Sequence, residues 1–236
     1  MSKTYIERRV VRQGAFEYRV DDDDLTAWIS KGYSGGAEVY TLPEQVEIDS
    51  KTYRLTSVEI GAFCSKQERI RELFIPDCYE YIDEVSFKID SLKTVHIGKG
   101  LQQYHPWSFT SNLETLTIHP DNPFLKISID GRFVFYTFET IRLVGMVGDP
   151  AVLQLPEEVL EIDGDFLNVL AGKTNLETIV FHTKTVLTTK ETIPDEWYFF
   201  SLFDICHLAV PRHLVGEYRS HPVWGWFKRI ESIEDK

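Results

Sequence analysis

Apolar and polar positions along the chain fall into one recurring four-residue phrase: apolar, any residue, apolar, then Pro, Gly or His. It occurs at Tyr40-Thr41-Leu42-Pro43, Leu73-Phe74-Ile75-Pro76, Val95-His96-Ile97-Gly98, Leu116-Thr117-Ile118-His119, Leu153-Gln154-Leu155-Pro156, Ile179-Val180-Phe181-His182 and Leu208-Ala209-Val210-Pro211. Ile75 and Ile97 lie 22 residues apart, and Ile97 and Ile118 lie 21 apart. Self-similarity at such a period marks a stack of structural repeats, in which each unit buries its apolar edge only against the next. The pattern therefore predicts a mainly β solenoid of strand-turn units about 22 residues long. Ile75, Ile97 and Ile118 are expected in one buried column.

More than the phrase repeats. Apolar residues return four and seven positions after its last apolar residue, as in Ile75/Tyr79/Ile82, Ile97/Leu101/Tyr104 and Leu155/Val159/Ile162. A Phe follows at twelve positions for Phe87 and Phe109, and at eleven for Phe166. Short runs rich in Val, Ile, Thr and Phe read as half-buried strands ended by Pro or Gly. The four-then-three spacing is also a helical period, so the turns ending in Phe63, Phe87, Phe109 and Phe166 leave room for a brief helix.

The period breaks between Ile118 and Leu153. There Ile127 to Phe135 reads as a hairpin around Asp130-Gly131, announced by the turn at Asn122-Pro123, and a strand around Thr140 to Val144 returns the chain to the stack. Between Phe181 and Leu208 the gap widens to 27 residues, which predicts a loop or short helix over Pro194 to Phe203. Two alternating stretches, Phe16 to Val20 and Leu25 to Ile29, flank Asp21 to Asp24 and predict an N-terminal hairpin cap. At the other end Tyr218, Trp224, Trp226 and Phe227 supply aromatic surface for a C-terminal cap, with Trp226 expected to be buried. The expected organisation is one elongated domain over 1–236: a cap at 1–35, repeats at 36–211 with the inserted hairpin about 120–150, and a cap at 212–236.

These residues resemble the BspA-type leucine-rich repeat family of Bacteroidetes and some parasitic protists. The likeness rests on Leu73-Phe74-Ile75-Pro76 leading to Tyr81 through Phe87, on Gly61-Ala62-Phe63-Cys64, on Leu155-Pro156 with Ile162 through Phe166, and on Leu208 through Pro211. It includes Leu42 to Asp49 with Lys51-Thr52-Tyr53 and Leu55 to Val58, and so covers most of residues 36 to 230. The resemblance implies adhesion or host-protein binding, and in many family members export or surface attachment.

Composition narrows the partners. With 236 residues and 43 % hydrophobic content the chain can bury a substantial core. A formal net charge of −12 argues against duplex nucleic acid and against an anionic membrane surface. No apolar run approaches the roughly 20 residues that span a bilayer. No secretory leader precedes the repeats, which points to a cytoplasmic protein, or alternatively to an exported one whose leader has been removed. The three cysteines, Cys64, Cys78 and Cys206, read as small buried repeat residues. No nucleophile elbow, phosphate loop or zinc-protease motif is present. His119 and His182 share a slot of the repeat, but two intervening steps of roughly 4.8 Å put them too far apart to share a zinc. No cofactor or metal is expected, and no enzyme.

One feature carries functional content. If the flanking apolar residues of each phrase point inward, the middle residue points out. That row is Thr41, Phe74, His96, Thr117, Gln154, Val180 and Ala209, and Phe74, His96, Thr117, Gln154 and Val180 are the candidate ligand-binding residues. The expected function is a non-enzymatic scaffold engaging a protein or glycan, the alternative being a structural module that assembles with itself.

Overall fold

The structure, a computed structural model, describes residues 8–109, 113–137, 141–157, 159–189 and 200–235. The chain is mainly β and divides into two compact units, Met1–Ile127 and Ser128–Lys236.

The first unit contains β1 (Arg9–Gln13), β2 (Phe16–Asp21), β3 (Thr26–Lys31), β4 (Val39–Thr41), β5 (Gln45–Ile48), β6 (Lys51–Val58), β7 (Glu72–Ile75), β8 (Tyr81–Ile82), β9 (Thr94–Ile97), β10 (Thr115–Ile118) and β11 (Leu125–Ile127). The phrases at Tyr40, Leu73, Val95 and Leu116 form a parallel sheet in the order β10-β9-β7-β4. Its register pairs Leu73 with Val95 and Val95 with Leu116, and likewise Ile75 with Ile97 and Ile97 with Ile118. Each strand alternates, so Leu73, Val95 and Leu116 go inward and Phe74, His96 and Thr117 go outward. Backbone bonds link successive rungs, as in Gly98 N–H to Ile75 O at 2.9 Å and His119 N–H to Ile97 O at 2.8 Å. Ile75 and Ile97 are buried as expected, whereas Ile118 is half-buried, since among the described residues β10 pairs with a strand on one side only.

A second sheet of the first unit contains β1, β2, β3, β5, β6 and β8. β2 and β3 form the expected hairpin around Asp21 to Asp24, and β6 pairs in parallel with β3 and with β8. β5 folds back antiparallel on β6. A further strand, β1, joins the antiparallel edge of β2; with two exposed or half-exposed valines and no apolar alternation, it left no mark in the pattern. Between the sheets runs a stack of phenylalanines. Phe63 and Phe87 lie 5.0 Å apart, Phe87 and Phe109 5.9 Å, both nearly parallel, and Phe16 closes edge-on against Phe63. Gly32 makes room for this stack, since a Cβ there would sit 2.4 Å from the Phe63 ring. Gly100 does the same for the backbone, for its Cβ would lie 2.0 Å from Asp77 O in the rung before it.

The first unit ends in a turn built on Asn122. This buried amide donates to Gly98 O and Leu101 O at 3.0 and 3.1 Å and accepts from the N–H groups of Phe124 and Leu125 at 2.8 Å. All the hydrogen-bonding capacity of its side chain is engaged in redirecting the chain.

The second unit contains β12 (Phe133–Tyr136), β13 (Arg142–Met146), β14 (Val152–Leu155), β15 (Glu161–Ile162), β16 (Thr178–Phe181), β17 (Thr188–Thr189), β18 (His207–Val210) and β19 (Arg229–Ser232), with helices α1 (Gly164–Ala171), α2 (Phe200–Ile205) and α3 (Val215–Ser220). The Asp130-Gly131 turn forms as expected: Ser128 N–H donates to Phe133 O at 2.9 Å, and Gly131 adopts φ +74°. β13, the returning strand, pairs antiparallel with β12 and parallel with β15, which in turn pairs with β17. The phrases at Leu153, Ile179 and Leu208 form a parallel sheet β14-β16-β18 that β19 extends. Here the helical alternative is realised, since Phe166 belongs to α1 and packs with Leu167 and Leu170 into the core. Of the expected segment Pro194 to Phe203, only the part from residue 200 lies within the described residues, where it begins α2.

The aromatic C-terminal stretch packs differently from the sequence expectation. Trp224 is the fully buried tryptophan, donating Nε1–H to Leu187 O at 2.8 Å and meeting Phe181 edge-on. Trp226 is 43 % exposed, because the turn at Trp224–Trp226 sends two residues of the same type to opposite sides. The cysteine expectation also holds in part only: Cys206 is buried, Cys78 is half-buried and Cys64 is exposed, with its thiol donating to Val85 O.

Candidate recognition surface

On the first unit, the parallel register sets Thr41, Phe74, His96 and Thr117 side by side on four neighbouring strands. Phe74 and His96 stack with centroids 4.3 Å apart and planes 17° from parallel. That distance is close to the strand spacing, so the rings stand across the ladder and turn their edges outward. His96 is held at both nitrogens, with Nδ1 2.8 Å from Thr117 Oγ1 and Nε2 2.9 Å from Glu72 Oε1. A carboxylate only accepts, so Nε2 carries a proton there, and Nδ1 meets a hydroxyl able to play either role. The His96 imidazole is thereby held from two sides, by Thr117 and by Glu72.

Glu72 was missing from the sequence-based row. Its signal was available: it sits two residues before Phe74, and period-two alternation puts it on the same face. With Thr94 and Thr115 it forms a second outward row in register with the first.

On the second unit the expected row opens and then closes. Gln154 is exposed on β14, but its neighbours in register, Val180 and Ala209, are 7 % and 0 % exposed. All four residues of β16 are buried, as in parallel strands covered on both faces. Val180 is therefore not an open contact residue. The sequence held the reason: the middle position is Val and Ala in these two phrases, where the others carry Thr, Phe, His or Gln.

No group of three or more His, Cys, Asp or Glu among the described residues is arranged to hold a metal ion. His119 accepts the Asp121 N–H within its own turn. Burial, with help from Glu44, pushes the Cys78 thiol up to about 11, which keeps it protonated and a poor nucleophile. Among the described residues no helix is long and apolar enough to cross a membrane.

No protein-family model matches the chain, and no curated protein matches it. Three solved structures are similar at low identity. The pneumococcal vaccine antigen PcpA shares 12 % identity at a TM-score of 0.34, over 77 % of this chain and 66 % of that one. A leucine-rich cell-surface protein of Faecalibacterium prausnitzii shares 12 % identity at 0.30, over 95 % of both chains. A leucine-rich repeat protein of Bacteroides ovatus shares 14 % identity at 0.28, over 95 % of this chain and 76 % of that one. This chain thus spans just under two thirds of the first. Likenesses at such TM-scores carry no inference about a partner.

Proposed function

We propose that the chain is a non-catalytic recognition scaffold of the BspA-type leucine-rich repeat class, and that Thr41, Phe74, His96 and Thr117 of the first unit engage a protein partner. The observation that carries this reading is the Phe74–His96 stack, fixed by Glu72 and Thr117 on an outward sheet face. Side chains already ordered lose little freedom on binding, and an aromatic among small polar residues is the usual composition of a contact anchor. A protein is favoured over a glycan because the faces of both rings are turned along the ladder, leaving edges where a sugar would need an open ring face. Gln154 belongs to the proposed surface only as an exposed residue of the second unit. The repeat reading also keeps 36–211 as the repeats, with caps at 1–35 and 212–236. For location, the family resemblance favours an exported or surface protein, the alternative to the cytoplasmic expectation.

The experiment is an affinity capture with wild type and a Phe74→Ala/His96→Ala double variant, followed by affinity measurement on each captured partner. Loss of Phe74 weakens a partner on this face by about 1–3 kcal/mol and leaves the melting temperature nearly unchanged. Equal affinity for wild type and double variant excludes the face.

A further inference from the structure

Both terminal strands of the β1-β2-β3-β6-β5 sheet are joined to their neighbours by two-residue hairpins, which fixes the backbone groups each strand turns away. Gln13 and Phe16 close one hairpin, with Gly14 at φ +60°. Gln13, Val11 and Arg9 therefore bond to β2, and the alternate residues Val10 and Arg12 direct N–H and C=O outward. Ile48 and Lys51 close the other hairpin around Asp49 and Ser50, both at positive φ. Leu55 N–H donates to Glu44 O in the same alternation, so Gln45 and Glu47 are the outward residues of β5. Among the described residues these outward groups have no hydrogen-bond partner. Val10 is 51 % exposed, and Arg12, Gln45 and Glu47 are exposed as well. No α-helix occurs among the described residues of this unit to cover either edge.

The two edges differ in charge. β1 carries Arg9 and Arg12 and no carboxylate; β5 carries Glu47, with Glu44 just before it, and no cation. Arg12 bonds Glu17 through Nε, but with 83 % of its side chain exposed that pair contributes little and is open to sharing. Glu44 and Glu47 have no ion pair among the described residues, since Arg54 on the adjoining strand is turned to Glu80 and Cys78 O. Charge thus decides which edges meet. β1 against β1 brings arginines together, β5 against β5 brings carboxylates together, and β1 against β5 joins opposite signs.

We propose that the chain associates head to tail with a second copy of itself, β1 of one copy adding to β5 of the next as a continuous antiparallel sheet. The strand directions agree. β1 is antiparallel to β2, β2 to β3, β3 is parallel to β6, and β6 is antiparallel to β5. β1 and β5 therefore run oppositely, and a copy translated across the edge presents β1 antiparallel to β5 with the same face outward. Pairing Val10 with Glu47 and Arg12 with Gln45 joins the outward backbone groups of all four residues and sets Val11 beside Val46 on the inner face. Glu47 then lies diagonal to Arg12, within reach of a long side chain. Each copy keeps one edge free, so the contact is heterologous and adds copies in a row. It uses neither Phe74 nor His96 and stands apart from the recognition reading.

Sedimentation velocity on the full chain, from about 10 µM to about 1 mM, tests this. Wild type is expected as monomer at the low end and as dimers and longer species at the high end, since so small an interface associates weakly. Proline removes an outward N–H and is tolerated on an edge strand where that N–H is outside the ladder. Val10→Pro blocks β1 and Glu47→Pro blocks β5, so each alone is expected to stay monomeric. Their equimolar mixture is expected to form a dimer and nothing longer, because one intact β1 meets one intact β5. Where circular dichroism shows that a proline variant does not fold, Arg12→Glu and Glu47→Arg decide instead: each alone weakens association, and mixing the two restores it. A wild type that is monomeric up to about 1 mM overturns the proposal. So does association that either proline leaves intact, including a dimer lost with Val10→Pro and kept with Glu47→Pro, which would assign the contact to β1 against β1.

Discussion

Phe63 and Phe87 stack face to face at 5.0 Å although 24 residues separate them in sequence, and each is fully buried. Phe87 also meets Phe109 at 5.9 Å, so one ring serves two neighbouring rungs. Phe87→Ala is expected to cost about 3–5 kcal/mol, since the rungs on both sides are held by their own backbone bonds and cannot collapse into the hole. Denaturant unfolding measures it; a loss below about 1 kcal/mol would show that the stack contributes little.

Gly100 sets how closely two rungs approach. Its missing Cβ would meet Asp77 O at 2.0 Å and Tyr79 O at 3.0 Å, and both are backbone atoms that cannot swing aside. Gly100→Ala is expected to destabilise by about 3 kcal/mol or more, at the upper end of overpacking costs. Gly216→Ala is the control, for it lies in α3 with nothing within 4 Å of its Cβ position, and helix propensity predicts a gain of about 0.5–1 kcal/mol. Thermal melting of the two variants should therefore shift in opposite directions.

The two C-terminal tryptophans separate packing from exposure. Trp224→Ala removes a buried ring and leaves Leu187 O without its donor, and is expected to cost about 3–5 kcal/mol. Trp226→Ala, at a half-open position near Phe203, should cost about 1 kcal/mol or less. Equal losses in urea titrations would contradict this assignment.

Acid should loosen the N-terminal strands through Asp22. The Tyr53 hydroxyl at 2.5 Å and then the Arg9 guanidinium at 3.3 Å hold its carboxyl down to about 2, below the ordinary 3.8. A carboxyl whose folded value lies below its unfolded one contributes stability that is complete above the unfolded value and is lost as pH falls through the folded one. The window is thus from about 4 down to about 2. Asp22→Asn should flatten the fall in melting temperature across that window while leaving the slope above about pH 5 unchanged. An unaltered acid limb would show that the carboxylate is not coupled to folding.

Much of the architecture was legible because the repeat imposes the same demand on each copy. Ile75 and Ile97 are buried in register because an apolar-x-apolar run of period two has only one way to face a core. The same logic failed where the demand differed. Val180 and Ala209 fill the outward slot of strands covered on both faces, and their apolar character was the sign that the row ended there. Trp224 and Trp226 sit two residues apart in a tight turn, where no period tells one face from the other. β1 was invisible because its partner is β2's backbone and not a core. The Phe74–His96–Thr117 row could be read from spacing alone, but the Glu72 contact that fixes the imidazole needed the geometry.

Asn122 gives the chain freedom to vary. Because one side chain donates to Gly98 O and Leu101 O of the rung before it and accepts from the N–H groups of Phe124 and Leu125 after it, the chain leaves β10 through a turn held by an amide. The stretch beyond Leu125 is thereby released from the period, and its length and sequence can drift without disturbing the stack already built. A single residue thus marks the place where a repeating protein acquires a part that does not repeat, and where a designer could graft a segment of another kind.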